Sequence, residues 1–99
     1  MKLSSTSYKL FTTPAASGEK LGMSGRRARR AKESLAANVA RLRRAREMKQ
    51  TELAMKARVT QALISAVEIG QANPTLESLY RIAQALGVGI ADLFTAVRE

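Results

Sequence analysis

The chain has 99 residues, which leaves room for one small domain and excludes a multi-domain enzyme. Its 17 Lys and Arg against 8 Asp and Glu give a formal net charge of +9, a balance that selects polyanionic partners. It contains no cysteine and no histidine, which removes disulfide frameworks, thiolate zinc sites, cysteine nucleophiles, histidine general bases and the commonest metal ligand together.

A hydrophobic fraction of 45% with only 4% aromatic residues suits an all-α domain packed by Leu, Ile, Val and Ala. No apolar run approaches the ~18 residues that a bilayer demands. The charge is uneven: residues 1–46 hold 12 Lys and Arg against 2 acids, a net +10, whereas residues 47–99 carry a net −1. That is the pattern of a basic arm or face beside a nearly neutral packed unit.

Residues 1–33 read as a basic N-terminal extension, disordered or partly helical. Ser4, Ser5, Thr6, Ser7, Thr12, Thr13, Pro14, Ser17, Gly18, Gly22 and Gly25 interrupt every helical or alternating apolar pattern there. The same Ser-rich, acid-poor composition is also that of an organellar transit peptide, whereas Lys9 and Pro14 leave no apolar segment for a secretory signal. Met23 opens a basic helical pattern, so residues 1–22 are equally readable as a start-site extension. The run Arg26-Arg27-Ala28-Arg29-Arg30-Ala31-Lys32 places five positive charges in seven residues. As a flexible arm it suits a DNA backbone or a minor groove.

Residues 34–99 read as the domain, with five helices expected. Leu35, Val39, Leu42 and Ala45 mark one face of a first helix over about 34–46, which Ala28 and Ala31 extend back as far as a cap at Ser24. Leu53, Ala54 and Ala57 form the inner face of a short second helix, TELAMKA, over residues 51–57. Thr60 then caps a third, with Ile64 and Val67 inward and Gly70 as its stop. Asn73-Pro74-Thr75 is a turn into a fourth helix, whose inner stripe is Leu76, Leu79, Ile82, Ala83 and Leu86 and which ends at Gly87. Ile90, Leu93, Phe94 and Val97 mark a short last helix and carry more apolar side chains than it can easily bury in so small a core, so they are expected at a dimer interface.

The two short helices joined by Arg58-Val59-Thr60 have the spacing of a helix-turn-helix, in which the first helix crosses a DNA backbone and the second enters the major groove. Residues 35–94, including the text RLRRAREMKQTELAMKARVTQALISAVEIGQANPTLESLYRIAQALGVGIADLF, resemble the DNA-binding domain of the lambdoid phage repressors and the wider Xre-type regulators. The resemblance is distributed over Gln50 before Glu-Leu-Ala, Val-Thr before the recognition helix, Ile64, Glu68, Gly70, Asn73-Pro74, Leu-Gly-Val and the terminal Asp-Leu-Phe.

That resemblance implies phosphate contacts from Lys49, Gln50, Thr60 and Asn73, and base-edge contacts from Gln61, Ala62, Ser65 and Ala66. Gln61 alone in the latter set can make a bidentate contact, with adenine as its natural partner. It also implies that Arg43 and Glu68 pair and brace the groove-reading surface. Glu47 and Arg58 depart from the pattern, because they stand where the family usually has glycine. Gly89 likewise replaces the usual capping residue before the last helix.

The expected function is a sequence-specific DNA-binding transcriptional regulator, a repressor-type homodimer on double-stranded DNA, reading an operator with two half-sites. It would be cytoplasmic, nucleoid-associated when bound, and without cofactor. Two other readings remain open: an antitoxin that also binds a small toxin partner, and a protein-bridging module of the same fold. An enzyme is not expected, since Glu52, Glu68, Glu77 and Asp92 belong to separate helices without paired-carboxylate spacing.

Overall fold

A computed structural model describes the backbone of residues 17–96 and the side chains of residues 25–96. Among the described residues there are four α-helices: α1 (Ser17–Ala45), α2 (Gln50–Ala57), α3 (Gln61–Glu68) and α4 (Leu76–Leu86). The expected fifth helix is instead a 3₁₀ turn, Ile90–Phe94. No strand occurs among the described residues.

Each apolar stripe read from the sequence finds a partner. Leu35, Val39 and Leu42 of α1, Leu53, Ala54 and Ala57 of α2, Ile64 and Val67 of α3, and Leu79, Ile82, Ala83 and Leu86 of α4 form one core that Leu93 closes. Helix α2 packs on α3 and α4, and α1 packs on α3 and the 3₁₀ turn. Four positions leave the expected stripes. Ala28 and Ala31 are exposed, because the core begins only at Leu35. Ala45 is exposed, because at 100° per residue it lies about 90° from the middle of the face set by Leu35, Val39 and Leu42. Leu76 is 71% exposed, on the first turn of α4 and about 70° from the middle of the buried stripe.

All four α-helices end alike. At each C-terminus one residue takes the left-handed conformation, and the amide that follows it reaches back five residues: Met48 N to Arg43 O at 3.1 Å, Val59 N to Ala54 O at 3.0 Å, Gln71 N to Ala66 O at 2.9 Å, and Val88 N to Ala83 O at 3.0 Å. Gly70 and Gly87 occupy the left-handed position at two of these ends, with φ of 74° and 76°, at no steric cost. Glu47 and Arg58, with φ of 56° and 60°, adopt the same geometry at the other two. The departure from glycine therefore leaves the turns unchanged and strains the residues that make them. Met48, Val59 and Val88, just beyond three of these turns, pack on the core and fix the angle at which the chain leaves.

The caps of α3, α4 and the 3₁₀ turn are those read from the sequence, whereas Ser24 lies inside α1 and Lys49 caps α2. Thr60 Oγ1 accepts from Leu63 N, and Thr75 Oγ1 accepts from Ser78 N, both at 3.0 Å. Gly89 caps without a side chain; its amide donates to Asp92 Oδ2 at 2.9 Å.

Helix α1 begins seven residues before the earliest expected start, at Ser17 rather than Ser24. Arg26, Arg27, Arg29, Arg30 and Lys32, expected on a flexible arm, thus lie on continuous helix. Gly25 is tolerated inside it, and alanine and arginine are strong helix formers.

Candidate nucleic-acid interface

The two short helices α2 and α3 meet through the Arg58 turn and are bound to α1 by one polar network. Arg43, on α1, makes a two-pronged contact with Glu68 at the end of α3: Nε donates to Oε2 at 2.7 Å and Nη2 to Oε1 at 3.0 Å. Its remaining nitrogen, Nη1, donates to Met48 O at 2.7 Å, in the turn that leads to α2. One guanidinium therefore ties three segments together, which its rigid fork of donors permits and a lysine's single ammonium would not.

The pair is largely removed from water, with side-chain exposures of 12% for Arg43 and 6% for Glu68. Burial pushes the Glu68 carboxyl up, but hydrogen bonds from Arg43 and Gln50 and the positive charges of Arg43 and Arg44 outweigh it and hold the group below the ordinary glutamate range. Arg43 is held above its usual value, chiefly by the hydrogen bond to Glu68, against the opposing effect of burial and with the carboxylate charge adding to it.

Two glutamines extend the network outward. Gln50, the first residue of α2, donates from Nε2 to Glu68 Oε1 at 3.0 Å. Gln61, the first residue of α3, donates from Nε2 to Gln50 Oε1 at 3.2 Å. An ion pair on the inside thus orients an exposed amide at the start of the third helix through an intervening amide at the start of the second. Of this relay, the sequence reading contained the Arg43–Glu68 pair and both glutamines as separate contacts. The Gln50–Glu68 and Gln50–Gln61 bonds, and the Met48 carbonyl under Arg43, came only from the structure.

The other expected contact residues lie along α3 and at its N-cap, just before α2 and in the segment before α4. Ala62 is exposed, and Ser65 and Ala66 are half-buried along α3. Thr60 caps α3 from an exposed position. Lys49 immediately precedes α2, with its amide donating to Glu52 Oε1 at 2.7 Å. Asn73 is exposed in the extended segment before α4. The amide-rich N-termini of α2 and α3, where backbone N–H groups lack partners within their helices, lie beside Gln50 and Gln61 and favour anions.

One residue that sequence reasoning missed is Asn38, 1% exposed. Its Nδ2 donates to Leu93 O at 2.9 Å and Thr95 O at 2.8 Å, while Oδ1 accepts from Arg41 Nη2 at 3.1 Å. The available signal was its place three residues after Leu35, on the buried side of α1. The dimer expectation also changes here. Leu93 is fully buried inside the protomer and Ile90 is half-buried against the same core, so Phe94, 37% exposed, is the main apolar surface of the turn. Val97 lies outside the described residues.

A family model described as helix-turn-helix, HTH_3, matches residues 39–93, more than half of the chain and all of α2, α3 and α4. The chain belongs to this helix-turn-helix family. A relative described as an uncharacterized HTH-type transcriptional regulator, y4dJ, of Sinorhizobium fredii is 42% identical over 62 residues, which cover 63% of this chain and 80% of that protein. A crystal structure of an HTH_3 family transcriptional regulator from Vibrio cholerae superposes with a TM-score of 0.61 at 26% identity, covering 65% of this chain and 36% of that one. This chain therefore matches about a third of the Vibrio protein's length. Both relatives are described as transcriptional regulators, and the matched family segment holds every residue of the Arg43–Glu68–Gln50–Gln61 relay. No helix among the described residues is long and apolar enough to cross a membrane.

Proposed function

We propose that this chain is a sequence-specific DNA-binding transcriptional regulator that acts as a homodimer on an operator with two half-sites. The observation that carries the reading is the relay from the buried Arg43–Glu68 pair through Gln50 to Gln61. It holds a base-reading amide at the exposed start of the recognition helix before any ligand arrives, so little side-chain freedom is lost on binding. Gln61 then reads a base edge in the major groove, with adenine N6 and N7 as its natural partners. Ala62 and Ala66 offer methyl groups to thymine, and Ser65 lies alongside. Lys49, Gln50, Thr60 and Asn73 contact phosphates on the flanks of the groove.

One good bidentate contact is worth roughly 1–3 kcal/mol of discrimination, too little to single out an operator in a genome. Doubling of the site in a dimer and sequence-dependent DNA shape supply the rest. Recruitment of bound sequences from random DNA tests this directly. Wild type is expected to select an inverted repeat. Gln61→Ala should relax preference at one base pair in each half-site with little effect on non-specific affinity, whereas Gln50→Ala should weaken every sequence and, by freeing Gln61, weaken the selected one most. An unchanged consensus with Gln61→Ala would overturn the assignment of the reading face.

A further inference from the structure

Because the basic run is helical, its charges have a fixed direction. At about 100° per residue, Arg26 and Arg44 fall on the same line along α1, with Arg30 and Arg41 within about 60° of it. That line is opposite the face of Leu35, Val39 and Leu42 that enters the core, and all four arginines are exposed. Arg27 and Arg29 flank the row and Lys32 lies farther round. Glu33 is the one carboxylate inside it and leaves the row net positive.

The two ends of the row differ. At the inner end, Arg41 and Arg44 border a shallow depression with Glu68, Ile69 and Gly70, the C-terminal end of the recognition helix. Arg41 is held in place there by Asn38, itself fixed by the carbonyls of Leu93 and Thr95. At the outer end, residues 25–31 are exposed throughout. From Arg26 to Arg44 the row is about 27 Å long at 1.5 Å per residue. Each DNA strand carries one phosphate per about 3.4 Å of helix axis, so that length faces roughly eight of them.

Resting on the DNA-binding reading above, we propose that the outer face of α1, carried by Arg26, Arg30, Arg41 and Arg44, is a second DNA-contacting surface that follows the phosphate backbone beyond the half-site read by α3. Composition favours a polyanion over a protein as occupant. Residues 25–33 hold no apolar side chain larger than alanine, so they offer no anchor of the kind that protein interfaces bury, while arginine is the side chain best matched to phosphate. The position of the inner end beside α3 makes the flanking backbone of the same duplex the nearest polyanion once the recognition helix is docked.

The test uses the full chain, its selected operator with and without about one helical turn of flanking duplex on each side, and a salt titration. Arg26→Gln together with Arg30→Gln preserves helix propensity and removes two contacts. On the flanked operator the double variant should lose about 1.8 from the salt slope per protomer, about 3.6 for the dimer, so that its loss of affinity between 50 and 200 mM salt is on the order of 100-fold smaller than that of wild type. The selected consensus should not change, and on the operator without flanks the two proteins should bind alike. Equal binding and equal slopes on the flanked operator would overturn the proposal while leaving DNA binding by α3 intact. An equal loss on both duplexes would also overturn it, because the arginines would then act inside the half-site. Absence of sequence-dependent binding by wild type would overturn the reading of α3 and this inference together.

Discussion

Glu68 connects three elements through one carboxylate, accepting from Arg43 of α1 twice and from Gln50 of α2 once. Removing one member of such a largely buried pair leaves the other charge partly desolvated and uncompensated, which costs up to about 3–5 kcal/mol. Glu68→Ala should therefore lower stability by roughly 3 kcal/mol, and Arg43→Ala added to it should cost much less than Arg43→Ala alone. Strict additivity in a double-mutant cycle measured by chemical denaturation would mean that the pair is not formed in solution. The same carboxylate makes the fold acid-sensitive. Its folded pKa lies below the unfolded one, so its stabilisation is complete above about pH 4.3, the ordinary glutamate value, and is lost as pH falls through the lower folded value. Glu68→Gln should remove that part of the acid dependence, leaving a flatter stability profile below about pH 4 than wild type shows.

At the level of elements, the four helix ends divide by residue type and not by geometry. Glu47 and Arg58 hold the left-handed position that Gly70 and Gly87 hold elsewhere, and an L-residue there carries about 1–2 kcal/mol of strain. Glycine loses more backbone freedom on folding, about 0.5–1 kcal/mol, which offsets part of the relief. Glu47→Gly and Arg58→Gly should each raise stability by up to about 1 kcal/mol, and by additive amounts because they sit at different turns. Gly87→Ala should lower it. The comparison is read from thermal or denaturant midpoints, and a loss of stability in either glycine variant would show that the Glu47 or Arg58 side chain contributes more than its strain removes. Asn38 acts on the same scale: two hydrogen bonds donated by one buried amide fasten the chain at and just after the 3₁₀ turn to α1, where an apolar residue would leave the Leu93 and Thr95 carbonyls without these bonds.

For the whole molecule, the +10 of residues 1–46 is carried largely by α1 and the net −1 of residues 47–99 by the remaining helices. Charge polarity of this kind steers a polyanion toward one side of the protein. The proposed dimer would set two recognition helices about 34 Å apart, one turn of duplex. With Leu93 committed to the protomer core, Phe94 is the residue of the 3₁₀ turn left to carry such a contact. Phe94→Ser should weaken self-association in sedimentation experiments and reduce operator affinity without unfolding the domain. A wild-type protein that stays monomeric at high micromolar concentration, or that protects a single half-site, would rule out the dimer.

Much of this architecture was legible in the sequence. Stripes at 3.6-residue spacing placed α2, α3 and α4 within a residue of their observed bounds, because short amphipathic helices have one way to bury their apolar face. Thr60 and Thr75 announced helix starts through a local hydrogen bond to the third residue onward, and the family resemblance located Arg43, Glu68, Gln50 and Gln61. Tertiary structure decided the rest. Whether Leu76 and Ala45 are covered depends on what lies opposite them, and whether Leu93 faces a partner or its own core depends on where Asn38 draws the last turn. Local pattern carries no such information, since each of these outcomes turns on contacts between residues far apart in the chain. Nor does pattern show that Gln50 links Glu68 to Gln61: that relay spans three helices and exists only once they pack.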